Sequence, residues 1–429
     1  MQISSQNLEK HTRFLTDNIG IRLAGSKQEY QAAEYIANEF RKYSQSVAIE
    51  EYPVWERAVT KEKLEVEING EYRQFPCSLF GASCSTNGEI FEAELVNFDT
   101  ATSYQKKDLS FIRDKAVIHL GCHIENEASY RRLMEAKPKF ILFVDTRHPG
   151  TIPLADGLFP SYVQKYGSVP SVNVAYMDAW QWLKNKSTKA KLCVAGGIKE
   201  SKTTVVICEI KGTSPDAGVI YCGGHHDTQA GTVGADDNAI GSAAMIELAR
   251  LLSQSPHKHT FKLISFGAEE QLSVGSAAYM RKHRTEIMRD GIFMCNFDSF
   301  GSALGWYNFT INGNSELLNL LRSIYNKNNI YYVENTIPFP YTDQFPFAAC
   351  GVPGIWVGKV NCITGLYYHH RVDNTPDIID FEESAKCISA SAEILEFLAN
   401  TENITPYRTI PEEQKQAIDA QFNAVYGGF

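Results

Sequence analysis

Five short polar runs in this chain contain side chains that bind metal ions and transfer protons. Three of them follow apolar stretches that predict buried strands: GGHHDT at 223–228, GADDN at 234–238 and GAEE at 267–270. The other two are NFDSFG around Asp298 and YYHHRVDN around His369. Because imidazoles and carboxylates are common ligands of zinc, these runs predict one metal site assembled from several loops. The chemistry that such a site favours is metal-assisted hydrolysis.

His225 and Asp227 lie two residues apart, directly after the apolar run 219–222. Open α/β sheets bind ligands at the carboxyl ends of their strands. A carboxylate beside a metal-bound imidazole commonly fixes its tautomer, which gives Asp227 a reason to be there. On its own, a polar turn with a surface histidine explains the pair better. The neighbouring His226 has no predicted role.

The acidic pairs also have simpler explanations. Asp236 and Asp237 precede a helix predicted from about Ala239, so one of them could be its N-cap. Glu269 and Glu270 close the next strand, and two carboxylates that converge in a loop raise the proton affinity of one of them. A cation would relieve that repulsion, and a raised pKa suits a general base. If both glutamates are simply solvated in the loop, they need neither a bound cation nor a catalytic role.

Asp298 and His369 complete the set of candidate ligands. Asp298 ends the apolar run 292–297, and His369 lies in an aromatic loop with Asp373 four residues later. Any one strand may end in a polar residue. Five candidate pieces in five successive connections favour a shared site over coincidence.

The elements that must position these residues alternate between strand and helix. Ser26 opens SKQE, a capping box before a helix predicted at 30–43, and a strand is predicted at 47–54. From Thr203 onward, apolar runs alternate with helical patterns, which predicts an α/β fold with a mostly parallel sheet and helices on both faces. The later helices are predicted near 239–253, 275–288, 315–328 and 381–400.

The stretch between about 55 and 198 has a different pattern, with short alternating runs such as LEVEI, AVIHL, FILFV and PSVNV. This pattern predicts a separate, strand-rich unit. We therefore expect an N-terminal part of the catalytic domain at 1–54, an insert domain at 55–198, the catalytic domain with the candidate metal ligands at 199–400 and a tail at 401–429. The tail is expected to contain one short polar helix without a clear role.

The motifs in this order resemble the zinc exopeptidases that include bacterial leucyl aminopeptidases, glutamate carboxypeptidases and glutaminyl cyclases. The resemblance runs from Thr203 to about Asn400 and, more loosely, includes RLAGSKQEYQAAEYIANEF. The insert, especially SVPSVNVAYMDAWQWL, is similar to the protease-associated domain of some members. This chain departs from the family at Thr342, Asp343 and Gln344, where many members have Ser-Asp-His before Pro-Phe. The departure puts in doubt any substrate preference inferred from relatives.

The resemblance implies a role for each motif residue. Glu269 would be the general base and acid, and Asp227 would support the imidazole two residues before it. The family pattern selects Asp237 over Asp236 as the carboxylate that bridges two metal ions. It also selects His369 over His370 as a metal ligand. Cobalt or manganese could replace zinc. The implied ligands are His225, Asp237 and Asp298 for one zinc ion and Asp237, Glu270 and His369 for the other.

The reaction expected from this resemblance is two-metal hydrolysis, with cations roughly 3.5 to 4 Å apart that polarise the scissile carbonyl and activate a bridging water. Proton transfer by Glu269 would contribute a factor of about 10² to 10⁴ in rate. We expect an aminopeptidase, because a carboxylate-rich site attracts a free ammonium group.

Three alternatives stay open. A carboxypeptidase or dipeptidase would need a basic fork for the terminal carboxylate, for which Arg147 and Lys165 are candidates, although both could be solvated surface charges. A glutaminyl cyclase would share many ligands, but those enzymes generally lack a long insert, so 55–198 argues against it. A non-catalytic binding protein of the same fold would have lost ligands, whereas all of them are present here.

Composition excludes several other classes of protein. Hydrophobic residues at 44% and charged residues at 21% are typical of a globular chain, and the net charge of −9 offers no basic surface for nucleic acid. No segment is long and apolar enough to span a bilayer, and the N-terminus lacks a secretory pattern. Ten cysteines without CxxC pairs predict reduced thiols in a cytoplasmic protein. We expect a peptide substrate and a monomer or homodimer.

Overall fold

A computed structural model describes residues 2–121, 124, 126–146, 150, 153, 157–214, 216–361 and 367–429. These residues form two compact units. The first unit comprises residues 1–54, 201–368 and 372–429, and the second comprises residues 55–200 and 369–371.

Several helices begin directly after a residue whose side chain caps them. Ser4, Ser26, Asn314 and Asp380 each accept a hydrogen bond from the backbone N–H three residues later, the usual N-cap arrangement. The α-helices are α1 Ser5–Arg13, α2 Lys27–Phe40, α3 Thr100–Ser103, α4 Glu127–Glu135, α5 Pro160–Tyr166, α6 Tyr176–Lys184, α7 Ile240–Leu252, α8 Val274–Asp290, α9 Ser315–Lys327, α10 Gln344–Ala349, α11 Phe381–Asn400 and α12 Glu412–Tyr426.

The apolar runs identified in the sequence form strands. Two of the strands are long and contain the points where the chain passes from one unit to the other. The strands are β1 Ser46–Ile68, β2 Glu71–Phe75, β3 Ser78–Leu79, β4 Phe91–Phe98, β5 Ala116–Leu120, β6 Phe140–Val144, β7 Ser171–Val174, β8 Lys189–Ile210, β9 Val219–His225, β10 Thr260–Phe266, β11 Gly291–Phe297, β12 Trp306–Asn312, β13 Tyr332–Asn335 and β14 Gly354–Val360.

In the first unit the strands follow the order β13-β12-β14-β11-β9-β10-β8. The four central strands, β14, β11, β9 and β10, are parallel. Strands β8 and β12 run antiparallel to their neighbours β10 and β14, and β13 is parallel to β12. The predicted mostly parallel sheet is confirmed.

Both faces of this sheet are covered by helices. Along β9, Ile220 and Cys222 belong to a core cluster that includes residues of α1, α2, α7, α9 and α11. The alternate residues Val219 and Tyr221 belong to a second cluster with residues of α8, α10 and α12. Since successive side chains of a strand point to opposite faces, the two clusters lie on opposite sides of the sheet.

The second unit has its own sheet, in the order β3-β7-β6-β5-β4, with β4 also paired to residues 189–192 of β8. Strands β4 to β7 are parallel, and β5 and β6 are almost wholly buried, as strands covered on both faces are. Trp182 of α6 packs on one face and Tyr130 of α4 on the other. The insert is therefore strand-rich but also contains helices that the sequence pattern did not predict. Its likeness to a protease-associated domain stays a prediction.

Two elements are longer than the sequence predicted. Strand β1 does not end at residue 54 but continues to Ile68. The helix of the tail, α12, has 15 residues, and its Ile418 and Phe422 are buried in the core cluster that contains Phe345 and Phe347. The tail is thus part of the hydrophobic core of the first unit, because a few apolar side chains at helical spacing suffice to bury one face of a largely polar helix.

The described cysteines are all free thiols, and most of them are buried. Within the described ranges, no helix is both long and apolar enough to cross a membrane.

Candidate metal centre

The candidate ligands meet because three parallel strands end at the same edge of the sheet. Strand β9 lies between β11 and β10, and its last residue, His225, pairs with Phe266, the last residue of β10. The chain after β10 carries Glu269 and Glu270, and Asp298 directly follows β11. Three separate connections therefore deliver an imidazole and carboxylates to one place.

The side chains converge on one imidazole nitrogen. His225 Nε2 lies 3.1 Å from Asp237 Oδ1, 3.5 Å from Asp298 Oδ1 and 3.8 Å from Glu269 Oε2. The ligand atoms of His225, Asp237 and Glu270 all lie within 4.8 Å of one another, and so do those of His225, Glu269 and Asp298. The structure thus brings together five of the residues that the sequence selected.

This donor set fits a metal ion. His225 Nε2 is fully buried and has no hydrogen-bond partner among the described residues, although buried polar atoms normally have one. Ligand bonds of 2.0–2.2 Å in a tetrahedral site place neighbouring ligand atoms about 3.3 Å apart, close to the separations found around this nitrogen. Imidazole and carboxylate donors suit zinc and similar divalent cations.

Asp227 holds two of the converging loops together. Its Oδ1 lies 3.4 Å from Nδ1 of His225, and the side chain is fully buried. The same carboxylate accepts hydrogen bonds from the backbone N–H groups of Glu269, at 3.0 Å, and Glu270, at 3.2 Å. Asp227 therefore orients the imidazole and also fixes the loop that carries both glutamates.

The two aspartates of GADDN have separate surroundings. Asp236 Oδ1 accepts a hydrogen bond from the N–H of Gly301 at 2.6 Å, and burial raises the pKa of Asp236 to about 7. The residue at the N-cap position of α7 is Ala239, and Asn238 Oδ1 accepts the N–H of Gly241 at 3.0 Å. Helix capping thus does not explain Asp236, because its carboxylate binds a different loop and an asparagine bonds to the first turn.

Crowding and burial favour protonated acids in this centre. Burial raises the pKa of Glu269 well above its usual value, and the charges of Asp343, Asp298 and Glu270 raise it further against the opposing effect of His225. Burial also raises the pKa of Asp298. Burial lowers the pKa of His225, but the surrounding carboxylates outweigh it and raise that pKa well above 6.5. A cation would stabilise the ionised carboxylates by replacing these protons.

Comparison with known proteins identifies the part of the chain that contains this centre. A family model described as "Peptidase family M28" matches residues 205–395. Residues 205–395 of this chain are therefore similar to peptidase family M28. This M28 segment contains β9, β10 and β11 and the loops after them.

Individual relatives agree with that assignment. Aminopeptidase YwaD of Bacillus subtilis (strain 168) is 24% identical over 290 residues, which are 67% of this chain and 60% of that protein. Across the curated relatives that it matches, the chain spans between 25% and 60% of their length.

Two solved structures show how widely the fold is shared. BSAP, a zinc aminopeptidase from Bacillus subtilis, has a TM-score of 0.75 at 18% identity and covers 94% of this chain and 98% of its own. A glutaminyl cyclase from an Acidobacteriales bacterium has a TM-score of 0.53 at 12% identity and covers 92% of this chain and 96% of its own. These likenesses establish the α/β fold of the protein.

Asp343 is an acid beside the M28 centre to which sequence reasoning gave no role. Its side chain is fully buried, and neither carboxylate oxygen has a hydrogen-bond partner in the part of the chain that the structure describes. Burial raises its pKa to about 7, with the charge of Asp298 adding to the effect. Asp343 lies in YTDQFPF and precedes the short apolar helix α10. Sequence analysis did not select it because the other candidates follow apolar strands.

The neighbouring aromatic residues form a wall beside one candidate ligand. Trp356 donates a hydrogen bond from Nε1 to the carbonyl oxygen of Asp298 at 2.9 Å. Phe339 stacks on Trp356 with 5.5 Å between ring centroids, and Tyr341 meets Phe339 edge-on at 5.1 Å. The wall therefore lies beside the backbone of Asp298.

The other predicted residues are His369, Lys165 and Arg147. His369 belongs to the segment 369–371, which groups with the second unit, and its role as a ligand stays a prediction. Lys165 is exposed and pairs with Glu127, its Nζ 3.1 Å from Oε1. Arg147 lies outside the described residues.

Proposed function

We propose that this protein is a zinc-dependent aminopeptidase that releases N-terminal residues from peptides. The observation that carries the proposal is the buried Nε2 of His225, without a hydrogen-bond partner among the described residues and with Asp237, Asp298 and Glu269 within 3.8 Å. Support comes from the M28 segment and from relatives that are aminopeptidases.

We propose that the centre holds two zinc ions. The donor atoms of His225 and Glu270, which the proposal assigns to different ions, lie within 4.8 Å of each other and of Asp237, whose two carboxylate oxygens can bind two ions. Asp237 would bridge the ions, with His225 and Asp298 on one and Glu270 and His369 on the other. BSAP, which shares the fold, is a zinc aminopeptidase, and this supports zinc as the metal.

The proposed mechanism assigns proton transfer to Glu269. When bound, zinc supplies a Lewis acid that polarises the scissile carbonyl and lowers the pKa of water. Glu269 Oε1 accepts a hydrogen bond from Ser273 Oγ at 3.1 Å, and Oε2 faces His225. Oε2 would take the proton of the attacking water and return it to the departing amine nitrogen. Asp227 holds Glu269 in place through the backbone N–H.

The choice of the N-terminus follows from charge. Asp237, Glu269, Glu270 and Asp298 surround a single imidazole, and the carboxylate oxygens that bound zinc ions leave free would pair with a free ammonium group. The side chain next to the scissile bond would meet the wall formed by Phe339 and Trp356, which favours apolar residues at that position.

The test is mass spectrometry of matched peptides after incubation with the zinc-loaded protein. The peptides carry a free N-terminus, a blocked N-terminus or a blocked C-terminus, and a chelated sample is the control. We expect chelator-sensitive loss of residues from every peptide with a free N-terminus. Trimming that is blocked only by C-terminal modification would instead establish a carboxypeptidase.

Glutaminyl cyclisation is the second candidate. The Acidobacteriales cyclase structure covers 92% of this chain, so a long insert does not exclude that activity. The same mass spectra distinguish the two reactions. A cyclase would convert an N-terminal glutaminyl peptide by loss of ammonia alone, whereas an aminopeptidase removes the whole residue.

We also propose a cytoplasmic location and a monomeric or homodimeric state. The free thiols Cys193, Cys208 and Cys222 are consistent with a reducing compartment. Cell fractionation tests the location, and light scattering of the purified chain tests the oligomeric state.

A further inference from the structure

We propose that Glu29 and His226 form a buried support for the metal ligand His225, and that zinc affinity depends on Glu29. This inference rests on the proposed zinc centre. It gives a function to two residues that sequence reasoning treated as a helix cap and as a residue without a role.

His226 points into the protein although it follows a strand end. Its side chain is fully buried, with Nδ1 2.9 Å from Ser265 Oγ and Nε2 3.2 Å from Thr204 Oγ1. Glu29 Oε1 lies 3.4 Å from the same Nε2. Ser265 belongs to β10, the neighbour of β9, and Thr204 belongs to β8, the next strand beyond β10, so the imidazole contacts both of these strands.

Glu29 is a buried acid that several donors satisfy. Only 1% of the residue is exposed, and Oε1 accepts hydrogen bonds from Thr203 Oγ1 at 2.7 Å, Thr204 N at 2.9 Å and Thr204 Oγ1 at 2.9 Å. The other oxygen accepts the N–H of Gly25. Burial raises the pKa of Glu29, but His226 and the other donors outweigh it, so the net pKa is lowered. A buried carboxylate persists only where donors compensate its lost hydration.

The network continues from His226 to the metal ligand. Ser265 Oγ lies 2.9 Å from Ser242 Oγ, which donates to the carbonyl oxygen of His225 at 2.9 Å. The backbone N–H of His226 donates to Phe266 O at 2.8 Å. The peptide group between His225 and His226 is therefore held by neighbours on both sides.

Arg22 fixes the far side of the same loop. It is fully buried, and its Nε donates to the carbonyl oxygen of His226 at 2.6 Å. Its Nη1 donates to Gly20 O at 2.7 Å and Val233 O at 2.9 Å, which ties the loop to the run that carries Asp237. With Arg22 on one side and Glu29 on the other, His226 has little freedom to move. His225, its neighbour in the chain, is positioned with it.

Loss of this support should change metal affinity. Partners that orient metal ligands commonly contribute 10- to 100-fold to affinity. Glu29→Gln replaces one carboxylate oxygen by an amide NH₂ group. In the wild type both oxygens accept hydrogen bonds, so in the variant one set of donors faces another donor. We expect zinc affinity to fall about 10-fold or more.

The experiment measures zinc affinity of the metal-free full-length protein by competition with a chromophoric chelator. The absorption spectrum of the cobalt-substituted protein reports the ligand geometry independently of activity. Glu247→Gln is the matched control, because the Glu247 side chain is also fully buried and accepts hydrogen bonds from Arg250 and from the backbone N–H of Ser4. We expect both variants to lose thermal stability, and only Glu29→Gln to lose zinc affinity and change the cobalt spectrum.

A second variant keeps the test valid if Glu29→Gln does not fold. Thr204→Val removes the hydroxyl that bonds both Glu29 and His226, without leaving a charge unpaired. Unchanged zinc affinity in the folded variants would overturn the inference while leaving the zinc centre intact. Failure of the wild-type protein to bind zinc would overturn the proposed function and, with it, this inference.

Discussion

Glu269 differs from the other acids around His225 in how its two oxygens are used. Oε1 is held by Ser273, the backbone N–H is held by Asp227, and Oε2 faces the imidazole at 3.8 Å. Its pKa is raised by burial and by nearby acids. A group that is rigidly held and readily protonated suits a general base.

The first prediction concerns Glu269→Gln. The amide has almost the same shape but cannot accept the proton, so we expect kcat to fall by a factor of about 10² to 10⁴. Zinc content, measured by inductively coupled plasma mass spectrometry, should stay unchanged. Glu270→Gln is the matched comparison and should lose bound zinc. Retention of full activity by Glu269→Gln would remove Glu269 from the mechanism.

His119 makes the second unit sensitive to acid. Its imidazole is buried, with Nε2 3.0 Å from the Tyr104 hydroxyl, and burial lowers its pKa to about 4. Because the unfolded chain binds this proton near pH 6.5, the native state loses stability as the pH falls from 6.5 towards 4. The loss between pH 7 and pH 5 should be about 2 kcal/mol.

Hydrogen-exchange mass spectrometry of the β5 peptide at pH 7 and pH 5 measures this effect, after correction for intrinsic exchange rates. His119→Gln keeps a hydrogen-bonding group but does not titrate, so its stability should change less over the same range. An equal loss of protection in the wild type and the variant would show that other groups cause the acid sensitivity.

The sequence revealed the candidate ligands and the general base of the centre better than the residues that hold them in place. His225, Glu269 and Asp298 were visible because each follows an apolar strand and strand ends meet at one edge of a sheet. Glu29 and His226 lie far apart in the chain, and no local pattern indicates that contact. SKQE was correctly identified as an N-terminal signal for α2, but the buried role of its glutamate depends on β8.

Two glycines set the distance between β9, which ends at His225, and α7, which begins three residues after Asp237. A Cβ atom on Gly224 would lie 2.9 Å from the carbonyl carbon of Gly241 and 3.0 Å from its oxygen. These atoms belong to the helix backbone and cannot move independently. The strand and the helix therefore approach closely only because Gly224 has no side chain.

At the level of elements, we predict that Gly224→Ala destabilises the protein by about 1 to 3 kcal/mol, as overpacking of a core does. Zinc affinity should fall as well, since His225 moves with the strand. Gly197→Ala is the control, because the nearest atom to its Cβ is Ser85 Oγ at 3.8 Å. Thermal unfolding and chelator competition on both variants provide the measurements. Equal losses of thermal stability and zinc affinity in the two variants would show that the close approach of β9 and α7 does not depend on Gly224.

The central strands and the larger helices of the first unit were predicted, whereas α1, α10, β12 and β13 were not, and the elements of the insert were predicted in part. Strands such as FILFV are recognisable because continuous apolar runs are typical of strands buried on both faces. Helix α4, with only Tyr130 and Leu133 buried in nine residues, gives a weak periodic signal. Helix α12 likewise buries only Ile418 and Phe422, so its packing depends on partners distant in sequence.

For the molecule as a whole, the fold is established, whereas the substrate is a proposal. The proposed catalytic chemistry lies at the ends of β9, β10 and β11, which fall within the segment that matches family M28. The same fold occurs in a zinc aminopeptidase and in a glutaminyl cyclase. The reaction must therefore be decided by the charge and shape of this chain's own centre.

The most direct test of the metal centre is a zinc titration of the metal-free protein that follows bound zinc and peptide hydrolysis together. We predict that the metal-free protein is inactive, and that hydrolysis of a peptide with a free N-terminus returns as zinc binds and reaches its maximum at two ions per chain. Asp298→Asn should need more zinc to recover. Full hydrolysis by the metal-free protein, or zinc binding without any gain in hydrolysis, would contradict the account.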